Sequence, residues 1–226
     1  MITIENLAKS YGTKKVLNDI SLIFKKGEVN GIVGDNGAGK TTFFKCIAGV
    51  EKHEGKINCD QESIKNHLGF LHTEPYYFSK ITGREYIQLL CNGRQINEHD
   101  IDGKNVFDLP LNEYAVNYST GMKKKLAITG LLLQNNDYFI LDEPFNGLDI
   151  QSNIIVTAII HKLKELNKVV IISSHIFSTL NDTCDHIHLL KNGSIIKSVL
   201  KEEFDELEQE MKTLTIGSKI DRLSLK

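Results

Sequence analysis

Gly34-Asp35-Asn36-Gly37-Ala38-Gly39-Lys40-Thr41-Thr42 decides how the rest of the chain is read. The stretch fits G-x-x-x-x-G-K-[ST] at every fixed position. Glycines carry no Cβ, so backbone N–H groups can come close to phosphate oxygens. Consecutive N–H groups form an anion-binding nest, and the start of the following helix adds its positive dipole end. Lys40 is placed to reach the β- and γ-phosphates, and the Thr41 hydroxyl to bind Mg²⁺. Upstream lies the apolar run 29–33, broken only by Asn30 and Gly31; downstream an apolar period runs over 43–48. Strand, loop, helix is the context that gives this motif its meaning.

A second stretch completes the chemistry. Tyr138-Phe139-Ile140-Leu141-Asp142-Glu143 is an apolar strand ending in two acids. An acid at the carboxyl end of a strand beside the P-loop strand is well placed for Mg²⁺. Asp142 is the expected holder of the ion, directly or through water, and Glu143 the residue that orients and polarises an attacking water.

The bulk numbers narrow the classes. A chain of 226 residues is long for one small domain, and an α/β domain of this length can bury a sizeable core. A net charge of −2 gives no global pull toward nucleic acid, and none is expected as a partner. No run of ~18 apolar residues is present. Met1-Ile2-Thr3-Ile4-Glu5 has no basic start before an apolar run, so no secretory signal is expected. Cys46, Cys59, Cys91 and Cys184 are scattered without a C-x-x-C pair, which favours reduced thiols. Asp185-His186-Ile187-His188 puts two histidines on one strand face, but no third metal ligand is near in sequence.

Periodicity places the remaining elements. Strands are predicted at 2–7, 16–24, 56–58, 68–71, 138–141 and 169–173. Helices are predicted at 40–49, closed by Gly49, and at 150–166. From about 82 to 134 the character is helical, clearest at 85–90 and 124–133. Lys191-Asn192-Gly193 between 188–190 and 194–199 is a hairpin signal. Residues 201–212 are charged and helical in pattern. Alternating strands and helices imply a parallel sheet.

Beyond the two motifs, the chain resembles the ATP-binding subunits of ABC transporters over about residues 1–200. The resemblance rests on further landmarks in the family's order. Tyr11, in Ser10-Tyr11-Gly12-Thr13-Lys14-Lys15-Val16-Leu17, matches the aromatic that stacks on adenine, with Val16 beside it. Tyr118-Ser119-Thr120-Gly121-Met122 matches the signature stretch, usually Leu-Ser-Gly-Gly-Gln; Ser119 and Gly121 are kept. Phe145-Asn146-Gly147-Leu148-Asp149 matches the D-loop, and Ser173-Ser174-His175 the switch histidine. Thr73 stands where the family usually has Gln, with Glu74 next to it as a second candidate Mg²⁺ contact. Each landmark has a plainer reading: Tyr11 at a strand edge, His175 as a surface histidine, Ser119 as a helix cap, and Lys123-Lys124-Lys125 mostly as a solvated face.

The resemblance implies an α/β P-loop NTPase core with a parallel sheet, an N-terminal antiparallel β-subdomain and an inserted helical subdomain. It divides a single domain into 1–73 and 135–200 as core, 74–134 as helical part, and 201–226 as a short extension. It implies an ATPase using ATP and Mg²⁺ that pairs with a second ATPase subunit, the same or related, and energises a transmembrane permease, leaning to export. It places the chain on the cytoplasmic face of the membrane as a peripheral subunit. Glu143, His175 and Lys40 are the implied catalytic group. Gly34 through Thr42, Tyr11, Val16, Ser119, Gly121 and Asp149 are the implied nucleotide contacts. Tyr76, Tyr77 and Phe78 are candidate anchors for the permease. Two other classes stay open: a soluble non-transport ABC ATPase, and a nucleotide-binding regulatory module with weak hydrolysis.

Overall fold

Three short strands of β-branched and aromatic residues form the centre of the molecule in a computed structural model, which describes residues 1–216 and side chains through 213. They are β3 (Val29–Val33), β6 (Tyr138–Leu141) and β7 (Val169–Ser173), and every residue in them is buried. Alternate side chains leave a strand on opposite faces. Tyr138, Ile140, Val169 and Ile171 therefore enter one apolar core, and Phe139, Leu141, Val170 and Ile172 another. A strand buried on both faces needs a largely apolar run, which β6 and β7 supply; in β3 it is broken by the buried Asn30 and by Gly31. Each such Ile or Val contributes about 1.5–3 kcal/mol by leaving water.

The first core lies against a three-stranded antiparallel sheet, order β2-β1-β4, made of β1 (Ile2–Tyr11), β2 (Lys14–Phe24) and β4 (Glu54–Cys59). Helix α1 (Lys40–Ile47) buries Phe43 and Phe44 in the same core. The second core is covered by α2 (Gly83–Asn92), α3 (Thr120–Leu132), α4 (Ile150–Glu165), α5 (Phe177–Thr183) and α6 (Phe204–Ile216). Strands β5 (Leu68–Leu71), β8 (His186–Lys191) and β9 (Ser194–Leu200) complete the main sheet, order β5-β6-β7-β3-β8-β9. All its pairings are parallel except β8 with β9.

This order corrects one expectation. The strand carrying Asp142 does not lie beside the P-loop strand; β7 stands between them. Parallel strands leave their carboxyl ends on one edge, so β6, β7 and β3 still deliver Asp142, Ser173 and the P-loop side by side. A second correction concerns the helical stretch. Only 83–92 and 120–132 are α-helix; 93–119 is mostly irregular, with one 3₁₀ turn at Ala115–Asn117. Gly93, Gly103, Pro110 and several Asn and Asp residues there favour turns over helix. Strands β1 and β4 run longer than periodicity predicted, and α5 had no sequence signal strong enough to claim it.

The β8–β9 turn uses Asn192 and Gly193, both at positive φ (50° and 80°), the twist a two-residue hairpin requires. Gly193 donates to Ala38 O in the P-loop (3.2 Å) and accepts from Asn18 N in β2 (2.8 Å). A Cβ at 193 would stand 2.2 Å from Val16 O, so no other residue fits. Of the predicted extension, 201–203 is a 3₁₀ turn leading into α6, which buries Phe204 and Leu207. The remainder, 217–226, lies outside the described residues.

Candidate nucleotide site

The P-loop wraps the start of α1. Gly39, at φ 112°, is the residue preceding the helix, and its absent Cβ would meet Leu17 at 2.9 Å. Lys40 is 7% exposed. Its ammonium donates to Gly34 O (2.6 Å) and Asp35 O (3.3 Å), so the loop curls around its own cation. A cleft of about 240 Å³ opens here, lined by Val16, Asn36, Gly37, Gly39, Lys40, Thr41, Thr42, Thr73, Asp142 and Glu143. Tyr11 does not line it. The residue is 44% exposed, with Lys9 Nζ 4.5 Å from the ring centre.

Asp142 is the hub of the cleft. It is 1% exposed, and three hydroxyls donate to it. Thr41 Oγ1 (2.7 Å) and Thr73 Oγ1 (2.8 Å) reach Oδ2, and Ser173 Oγ (2.6 Å) reaches Oδ1. A buried carboxylate needs such partners, because an unpaired one costs several kcal/mol. From sequence, Thr41 and Thr73 were expected as Mg²⁺ contacts rather than as donors to Asp142. Ser173 was expected as neither; its role follows from the β6–β7 register, which aligns Leu141 with Ile172 and so puts residues 142 and 173 next in line. Thr73, short as it is, does reach Asp142, whereas Glu74 is exposed and is not among the residues lining the cleft. One carboxylate with two hydroxyl oxygens is a hard, all-oxygen donor set, which suits Mg²⁺.

Glu143 follows at φ 52°, in the left-handed region that a non-glycine residue enters at a cost of about 1–3 kcal/mol. Its N–H donates to Ser173 Oγ (2.9 Å), and its carbonyl accepts from Lys124 Nζ (2.7 Å) and Asn146 N (3.3 Å). Its carboxylate Oε2 pairs with His175 Nδ1 (2.8 Å) and accepts from His175 N (3.3 Å). The structure thus brings Lys40, Thr41, Asp142, Glu143 and His175 together from three strand ends.

Ser119 and Gly121 lie elsewhere and do not line the cleft. Ser119 is exposed and caps α3, accepting from Met122 N (3.2 Å). A Cβ on Gly121 would stand 2.8 Å from Gly147 O, so the first turn of α3 packs on the 145–149 loop. Asp149 caps α4, accepting from Ser152 N and Oγ, and pairs with Lys125 (3.0 Å). Those N–H and O–H donors, with the ammonium, hold its carboxyl below the usual range. Tyr118, standing for the family's Leu, is buried, and its hydroxyl finds Pro110 O at 2.6 Å.

Two expectations fail. Lys124 does not belong to a solvated face: it is 2% exposed and spends its charge on Glu143 O, while Lys125 is held by Asp149. The helical period pairs 124 with Ala127 and Ile128 on the buried face, a signal the triple-lysine reading overlooked. Tyr77 is not exposed; it is 8% accessible and donates to Lys123 O, leaving Tyr76 (77%) and Phe78 (56%) as the outward aromatics. His186 and His188 form no metal cluster, and among the described residues no group of three or more His, Cys, Asp or Glu is gathered for one. His188 is buried between Asn30 and Ser198, and burial pushes its pKa down to about 4. The four cysteines are unpaired. No described helix is long and apolar enough to cross a membrane.

Residues 17–146 match the family model described as ABC transporter. The chain is 32% identical to the ABC transporter ATP-binding protein NatA of Bacillus subtilis, covering 92% of this chain and 93% of that one. It is 31% identical to the bacitracin transport ATP-binding protein BcrA of Bacillus licheniformis, covering 92% and 72%. Its fold is that of an ATP-binding cassette solved as a dimer in a post-hydrolysis state with ADP and Pi, at TM-score 0.80, 21% identity and coverage of 89% and 99%.

Proposed function

The chain belongs to the ABC transporter family as an ATP-binding, ATP-hydrolysing subunit, and on that premise we propose how its residues divide the work. The observation that carries the reading is the buried Asp142 with Thr41 and Thr73 on one oxygen, set against the P-loop and next to the Glu143–His175 pair.

In this reading Lys40 and the backbone of 34–42 bind the phosphates, and Tyr11 and Val16 flank the base. Thr41 and Asp142, with Thr73 alongside, hold Mg²⁺; when bound, the ion supplies charge neutralisation for the phosphates. Glu143 accepts a hydrogen bond from the attacking water and polarises it. His175, paired to Glu143 Oε2, fixes that carboxylate beside the γ-phosphate position. Residues 1–73 and 135–200 act as the core, 74–134 as the helical part that meets the permease, and 201–226 as an extension.

Ser119 and Gly121 are assigned to the nucleotide of a second ATPase subunit, where a helix start with an exposed Ser suits a γ-phosphate. ATP would then close the pair, and loss of the γ-phosphate would open it. Each change in state comes from ATP binding the closed pair more tightly than the open one. Tyr76 and Phe78, edge to face at 5.6 Å, are offered to a transmembrane permease on the cytoplasmic face of the membrane. The transport names of NatA and BcrA support a membrane partner.

The test is ATP turnover of the chain and of Glu143→Gln, with sizing chromatography of both in ATP and Mg²⁺. The expected result is turnover in the first, and a drop of about a hundredfold or more with an ATP-dependent dimer in the second. Binding without turnover or dimer in either would instead make the chain a nucleotide sensor or half of a heterodimer.

A further inference from the structure

We propose that Lys124 is a positioning residue for hydrolysis, holding the Glu143 peptide in the orientation that aims its carboxylate; this rests on the reading of Glu143 as the group that polarises water. Lys124 is 2% exposed, and the one hydrogen bond described for its ammonium goes to Glu143 O at 2.7 Å. Burial lowers its pKa, while the nearby carboxylates of Glu143, Asp142 and Glu74 favour the charged form. A buried ammonium is a poor choice for stability alone, because an apolar side chain of the same length fills the space without desolvation cost. What Lys124 does that an apolar chain cannot is grip a carbonyl.

That carbonyl belongs to a residue that needs gripping. Glu143 is left-handed at φ 52°, so its peptide would relax without restraint at both ends. Ser173 Oγ takes the N–H; Lys124 Nζ and Asn146 N take the C=O. Lys124 also sits five residues after Ser119 on the same helix, which Gly121 presses against Gly147 and Tyr77 ties at Lys123 O. The helix that starts at the signature therefore ends its first turns on the catalytic peptide. A partner nucleotide that draws on Ser119 would be felt at Glu143 through one rigid span.

The experiment is steady-state ATP turnover of Lys124→Met and Lys124→Gln beside the native chain, with thermal unfolding of each. A misplacement of the catalytic group by about 1 Å costs on the order of a hundredfold. The expected result is a kcat lowered by about tenfold or more in Lys124→Met at a KM for ATP within about twofold, with partial recovery in Lys124→Gln, which keeps a shorter donor. A folded Lys124→Met with native kcat, or a loss confined to KM, overturns the proposal. If the Met variant does not fold, Lys124→Gln alone decides on the same reading: lowered kcat at steady KM supports the role, native kcat ends it. Glu143→Gln runs in parallel. Full turnover there removes the premise, whereas a dead Glu143→Gln beside a fully active Lys124→Met removes only the role of Lys124.

Discussion

The two regions of this chain assigned to nucleotide in the proposed function are built in opposite ways. The P-loop region is interlocked: Lys40 is buried on two loop carbonyls, and three hydroxyls converge on a carboxylate that is 1% exposed. The signature region at 119–121 is open, with Ser119 exposed and its hydroxyl bonded only to its own helix start. The first region satisfies its polar groups inside one chain. The second presents an exposed cap whose hydroxyl is bonded only to the helix it starts, while Gly121 packs on the 145–149 loop. If the second half serves the nucleotide of another subunit, as proposed, each half should fail in its own manner.

Lys40→Ala attacks the interlocked half and carries the largest expected effect on binding. It removes a charge-assisted phosphate contact and the loop's own brace, so nucleotide affinity should fall about ten- to a hundredfold in a fluorescent-ATP titration. Unchanged affinity would mean that the cleft at 34–42 is not where nucleotide binds. Thr73→Val keeps the shape but removes one of the three donors to Asp142. Urea unfolding should show a loss of about 1.5 kcal/mol, the scale of a hydrogen bond to a charged acceptor. No loss would show that the hub tolerates two donors as well as three. Ser119→Ala probes the open half and should be mildest in the single chain. Cap removal costs about 1 kcal/mol, with ATP affinity at low protein concentration untouched. Turnover should drop only at concentrations where subunits pair. Weaker ATP binding by the isolated variant would contradict the separation of the two halves.

How much of this was legible beforehand depended on whether the deciding contacts were local. The P-loop, the strand 138–141 ending in two acids, the strand 169–173 and the hairpin at Asn192-Gly193 announce themselves, because the residues that define them are adjacent in sequence. Ser173 could not be found that way; it matters because β7 lies between β6 and β3, and strand order is not a local property. Lys124 was hidden for another reason. A lysine between two lysines reads as solvent-facing, and only the helical phase it shares with Ala127 and Ile128 says otherwise. Tyr77 repeats the lesson, since its neighbours Tyr76 and Phe78 point outward and it alone turns in to Lys123. Residues 93–119 showed the limit of periodicity, where turn-forming Asn, Asp, Gly and Pro overruled the helical neighbours on both sides.

The hairpin tip at Gly193 has a consequence for the nucleotide loop. By holding Ala38 from behind while gripping β2 at Asn18, it fixes the shape of 34–39 with protein contacts alone. A glycine-rich segment left to itself would sample many shapes, and ordering it would cost roughly 1–2 kcal/mol per residue in chain entropy at each encounter. Here that entropy is surrendered once, at folding. A nucleotide entering the cleft meets a loop that is already shaped, so less of its binding free energy goes into ordering the receptor.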